Sequence, residues 1–313
     1  MYKGVNICHF PYRTGTENVY YFAERGYDSI SQHGFFFLSD ISEPETRIPF
    51  TKALQDTGVV FSVHHLLPNT KTNYTPEVFA EHMKTFREWQ DETGLLWNLS
   101  FDVYPDLRPH ASTCIKIALD AFRGTSTKIS VEDYGLSPEE KADLECLRGE
   151  ENFGFLVDIG HMNVRLCNTG KKWGHAALEQ WGEAAPLLPG DNSPEAFKNA
   201  LKAKQFPIFE MHLHNNSGRG DEHRWLEEGN IDMRGLAQVL KELEFDGIVS
   251  METVPDWSGS PEYVAQQKEL EQDVWRNLDK VYRLCPFRGD PDPKRDERYL
   301  QSFAFWKACL ENN

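Results

Sequence analysis

The chain has 313 residues, enough for one large domain or two ordinary ones, and long enough to bury a core without disulfide or metal staples. Its hydrophobic fraction of 40% and its 20 phenylalanines exclude disorder as the global state. Lys plus Arg number 33 against 49 Asp plus Glu, a formal net charge of −16, which disfavours nonspecific binding to nucleic-acid phosphate.

In chain order, a first short apolar strand is expected at residues 3–8, followed by a helix at 17–25. A second strand is expected at 29–38 and a helix at 45–57, then a strand at 59–65 and a helix at 76–93 that begins with Pro at its first turn. The next pairs are a strand at 95–103 with a helix at 112–123, and a strand at 128–132 with a helix at 137–149 opening on Ser-Pro-Glu-Glu. Strands at 153–158, 208–214 and 247–252 follow, with helices at 193–204, 233–243 and 263–284. Strands alternating with helices imply βαβ units and a parallel sheet. Eight such units, recurring about every 30 residues, are the arithmetic of an α/β fold of the (β/α)8 TIM-barrel type.

The barrel is expected to occupy residues 1–285, with an insert at about 163–205. The tail at 286–313 opens as a polar loop and ends in a helix-like stretch at 299–310, a C-terminal helical extension. No stretch reaches the ~20 apolar residues that span a bilayer, and no long apolar signal core opens the chain. Cys8, Cys114, Cys146, Cys167, Cys285 and Cys309 contain no CxxC pair, which suits reduced thiols in a cytoplasmic protein. The segment after the first strand, GVNICHFPYRTG, does not fit a GxGxxG loop, so no nucleotide cofactor is expected.

Chemistry-bearing side chains fall at the strand ends: Glu132 in SVED, Asp158 and His161 in VDIGHMN, His212 and His214 in HLHNN, Glu252 in SMET. Asp221 and His223 follow in GDEH, and His64 ends the third strand. All C-terminal strand ends of a barrel face one mouth, so these groups would converge there. Carboxylates crowded in a low-dielectric mouth repel unless a cation neutralises them. Mixed imidazole and carboxylate donors suit Zn2+, Mn2+ or Co2+, with Mg2+ favoured by an all-oxygen set. Each residue also has a plainer reading, as a helix cap, an ion-pair partner or a core hydrogen-bonding group. Four strands ending in ligand-type residues outweigh it. His33, His82, His110 and His175 lack that setting and are read as structural.

The ordered set SVED, VDIGHMN, HLHNNSGRGDEH with GNID, and SMET resembles the xylose isomerase-like TIM barrels, which include sugar isomerases and epimerases and the endonuclease IV type of DNA-repair enzyme. The resemblance covers residues 1 to about 257. It implies a central divalent metal on Glu132, Asp158, His212 and Glu252, with His161, Asp221 and His223 as ligands of a further metal or as substrate contacts. His64, His214, Arg219, Arg224 and Trp97 would contact substrate. The implied activity is isomerisation or epimerisation of a sugar, polyol or related polyhydroxy compound through an enediolate, with Glu132 and Glu252 as the acid/base pair.

Three other activities compete with it. They are a metal-dependent phosphodiester hydrolase, a polyol dehydratase and a non-catalytic sugar-binding barrel. The fourth strand, LLWNLSFDVY, has no His to complete the three-zinc cluster of the endonucleases. With the acidic charge, that points to a small-molecule partner rather than nucleic acid or membrane. A homo-oligomer is the expected assembly.

Overall fold

The computed structural model describes residues 1–7, 10, 13–65, 75–101, 111–132, 142, 144–167, 190–218, 220, 222–253 and 293–311. Eight parallel strands close into a barrel in sequence order: β1 (Tyr2–Asn6), β2 (Ser29–His33), β3 (Val60–His65), β4 (Leu96–Phe101), β5 (Lys128–Glu132), β6 (Phe153–Asp158), β7 (Ile208–Leu213) and β8 (Ile248–Met251). Closure comes from β1 pairing with β8, where Gly4 lies opposite Ser250. The chain is therefore a TIM barrel, as the alternation of its elements implied.

Helices wrap the barrel: α1 (Gly15–Ala23), α2 (Gly34–Ser42), α3 (Pro44–Thr57), α4 (Pro76–Thr93), α5 (Ala111–Ala121), α6 (Ile159–Cys167), α7 (Pro194–Lys202), α8 (Met233–Glu242) and α9 (Pro293–Glu311). Their ends follow local chemistry. Thr14 and Glu17 form a reciprocal capping box at α1. Thr75 caps α4, and that helix stops at Gly94, whose φ of 69° is the left-handed conformation glycine adopts without strain.

The expected strand at 29–38 ends early. Its second half, GFFFL, opens α2 instead. An apolar run of that length suits a buried strand or a buried helix equally. α6 was not foreseen. It starts directly after Asp158 and buries Ile159, Met162 and Val164. The expected helix at 263–284 lies wholly outside the described residues, as do about half of that at 137–149 and most of the insert. Within 137–149, Glu145–Leu147 forms a short 3-10 turn.

The main core lies between barrel and helices. Phe37, Phe50, Phe61, Phe86 and Trp89 interlock there at tilted and edge-on angles, Phe37 to Trp89 at 4.9 Å. Each such ring contributes about 2 kcal/mol by leaving water. The C-terminal helix joins this layer. Tyr299 meets Phe10 at 4.6 Å and Phe303 stacks on Tyr27 at 3.6 Å. No helix among the described residues is long and apolar enough to cross a membrane.

The barrel interior is polar. Ser62 on β3 and Asn98 on β4 both bond Glu210 on β7, and Ser130 on β5 bonds Asn98. Bulky aliphatic residues usually fill this space. Here small polar side chains leave room for a hydrogen-bonded network beneath the mouth.

Candidate active site

The strand register gathers the strand-end groups. Asp158 pairs with His212 across β6 and β7, and His212 pairs with Ser250, two residues before Glu252 on the same face. Glu132 ends β5 opposite Leu156, two residues before Asp158. Glu132, Asp158, His161, His212 and His214 are buried, and Glu252 is only 9% exposed.

His212 Nδ1 lies 2.9 Å from Glu252 Oε2. Asn6 Nδ2 donates to the other oxygen, Oε1, at 3.3 Å, and His33 Nε2 stands 4.0 Å from that same atom. Glu132 faces His161 Nδ1 through Oε1 at 3.2 Å and His64 Nε2 through Oε2 at 3.5 Å. Ser100 bonds His64 Nδ1 from the far side at 2.9 Å. Asp158 Oδ1 accepts from the backbone N–H of His161 at 2.7 Å and lies 3.1 Å from His214 Nε2. His214 stacks on His223 with ring centroids 3.9 Å apart and planes 17° from parallel. His223 Nδ1 is 2.8 Å from the Glu252 carbonyl oxygen.

The electrostatics reflect this crowding. Burial alone would lower the His212 pKa, but the carboxylates of Glu252, Glu132 and Glu210 push it up to about 10. Burial alone would raise Glu252. The charge and hydrogen bond of His212, with His33 and His223, hold it well below the usual carboxylate range. Such mutual dependence is what a cluster of buried acids requires of its cations.

The donor set fits a divalent ion. Donor atoms lie within 4.8 Å of one another in four overlapping groups: Asp158–His212–Glu252, Glu132–Asp158–His161, His64–Glu132–His212 and His161–His214–His223. The first two, which share Asp158, are mixed oxygen and nitrogen sites. The last is all imidazole, suited to Zn2+ or a similar borderline metal.

Among the described residues, most of the expected ones meet here, and Trp97 does not. Trp97 is the second residue of β4, at the barrel end opposite the mouth, and it packs edge-on against Tyr2 at the start of β1, 6.3 Å between ring centroids. A residue near a strand's N-terminus cannot wall the C-terminal mouth, so the expected substrate contact at Trp97 is withdrawn. Arg224 lies in the loop after β7, bridged to Asn215 and paired with Glu222 at 2.9 Å. Arg219 and Asp221 lie outside the described residues, as does the side chain of His65. Asn6, His33 and Glu210 were missed. Glu210 had a signal, since it shares a strand face with His212 two residues on. His33 and Asn6 had none without knowledge of which strands pair.

The model of the xylose isomerase-like TIM barrel family matches residues 97–274, more than half the chain. The chain belongs to this family. Among relatives of this xylose isomerase-like barrel, Uncharacterized protein MJ1311 of Methanocaldococcus jannaschii is 25% identical over 231 residues, 72% of this chain. The match spans 61% of that protein's length. Among solved structures, D-psicose 3-epimerase from Clostridium cellulolyticum H10, determined with D-tagatose, superposes at a TM-score of 0.61 and 13% identity, covering 99% of this chain and 100% of that one. The 3-keto-D-glucoside 4-epimerase YcjR from E. coli does so at 0.53 and 15% identity, covering 88% and 99%. At such identities the superpositions speak for the fold alone.

Proposed function

We propose that this barrel is a divalent-metal-dependent isomerase or epimerase of a sugar, polyol or related polyhydroxy compound, with Glu132 and Glu252 as the acid/base pair. The observation that carries the reading is the division of labour at Glu252. One oxygen faces His212, a candidate metal ligand, while the other is held apart by Asn6. A carboxylate that gives both oxygens to a cation is a poor base. This one keeps an oxygen for proton transfer. The family membership and the sugar epimerases among the superposed structures support the same reading.

Glu132, Asp158, His212 and Glu252 would hold the ion. When bound, the ion would polarise a substrate carbonyl as a Lewis acid. Glu132 and Glu252 approach the site from β5 and β8, different sides of the barrel. One takes the proton from the carbon beside the carbonyl and the other returns it, from the opposite face in epimerisation. His161 and His214 hydrogen-bond substrate hydroxyls, and Arg224 or Arg219 binds a negatively charged end. His64 orients Glu132 through its Oε2 contact. The buried setting excludes water, which strengthens each of these interactions.

The all-imidazole group His161–His214–His223 favours one second reading, a two-metal hydrolase of phosphodiesters. Metal analysis after loading with Mn2+ or Zn2+ separates the two. One ion per chain supports the isomerase, two support the hydrolase, and no stoichiometric ion contradicts both.

A further inference from the structure

We propose that Glu210 is a positioning residue for the candidate ion: its carboxylate faces Nε2 of His212 from below, favours a proton on that nitrogen and so keeps the Nδ1 lone pair of the ring aimed at the metal. The inference rests on the ion-dependent reading above.

Glu210 is fully buried inside the barrel, two residues before His212 on β7 and below the mouth. Ser62 Oγ donates to its Oε1 at 3.0 Å and Asn98 Nδ2 donates to its Oε2 at 2.8 Å. Ser130 Oγ donates to Asn98 Oδ1 at 3.1 Å, which leaves the Asn98 amino group to face Glu210. Both carboxyl oxygens therefore act as acceptors, fixed by three other strands.

The His212 ring stands between two carboxylates. Nδ1 looks up to Glu252 Oε2 at 2.9 Å, and Nε2 looks down to Glu210 Oε1 at 3.9 Å. An imidazole that binds a cation does so through a lone pair and carries its proton on the other nitrogen. The nitrogen on the mouth side, among Asp158 and Glu252, is Nδ1. The proton then sits on Nε2, and Glu210 is the carboxylate that faces it, 3.9 Å away. Ligating histidines are commonly oriented in this way by an outer acceptor. A glutamine or an apolar residue would fill the same space without the cost of a buried charge. Stability alone gives little reason for a carboxylate here.

The test uses the full chain. First, long-range 1H–15N correlation spectra of the Zn2+-loaded wild-type protein, with 15N-labelled histidine, report the His212 tautomer. The expected result is a proton on Nε2 with Nδ1 ligated. Ligation through Nε2 overturns the proposal, and this measurement needs no variant to fold. Second, chelator competition with Zn2+ and Mn2+ compares wild type, Glu210→Gln and Ser62→Ala. Affinity should fall 10- to 100-fold in Glu210→Gln and less in Ser62→Ala. Wild-type affinity in a folded Glu210→Gln overturns the proposal and leaves the ion-dependent reading standing. A wild-type protein that binds neither ion ends both.

Discussion

The His214 ring occupies the space that a side chain at Gly160 would fill: a Cβ on Gly160 would lie 1.9 Å from His214 Cε1 and 2.2 Å from its Nε2. Gly160 sits on the first turn of α6, just after Asp158, so its missing side chain is what lets His214 reach that carboxylate. Gly160→Ala should push the imidazole off Asp158. The expected outcome is a loss of stability of about 1–3 kcal/mol from overpacking. KM for the turned-over sugar should rise roughly tenfold, the scale of one lost hydrogen bond, with ion binding at His212 retained. Thermal unfolding and steady-state kinetics check this. Unchanged KM would remove His214 from the substrate site.

Ion binding should also appear as stability. An ion at 100 times its Kd adds about 2.7 kcal/mol to a state that alone binds it. For a chain of 313 residues that is a rise in Tm of roughly 4 °C. The rise should occur with Mn2+ or Zn2+ in the wild type and vanish in His212→Asn, measured by differential scanning calorimetry. A full rise in His212→Asn would show that the ion sits elsewhere.

A pH dependence arises away from the site. His82 is buried on α4, and burial lowers its pKa to about 4. The unfolded chain takes up that proton near 6.5. Between those values the unfolded state binds more protons, so stability is full above pH 6.5, falls toward pH 4 and then levels. The span is worth up to about 3 kcal/mol. Denaturant unfolding of wild type and His82→Leu across this range should show the difference between them shrinking in that window. A constant difference would mean that His82 titrates normally in the native state.

The fold was legible because strand and helix periods alternate. β5 and β6 begin and end as expected, since ISVE and FGFLVD are β-branched or aromatic runs that stop at a carboxylate. The site was legible for the same reason: in a parallel barrel the strand ends converge whatever their sequence separation. Two classes of feature were not legible. GFFFL carries no period that separates strand from helix; in the helix it forms, Phe37 packs against Phe50, Phe61 and Trp89. The polar barrel interior reads in sequence as a solvated face. Ser62, Asn98 and Ser130 alternate with apolar residues as exposed positions would, and closure alone turns them inward to Glu210. Asn6 and His33 reach Glu252 only because β1 closes on β8 with β2 beside it.

The proposed function turns on Glu132 and Glu252 moving a proton at the carbon beside a substrate carbonyl. The most direct measurement is deuterium incorporation into a ketose in D2O by the Mn2+-loaded protein, with D-tagatose as the first probe and a panel of ketohexoses beside it. The wild type should incorporate deuterium at that carbon. Glu132→Gln and Glu252→Gln should each slow incorporation by at least about 100-fold, the lower range for general acid–base catalysis. Exchange at the wild-type rate in Glu252→Gln would contradict the two-glutamate mechanism.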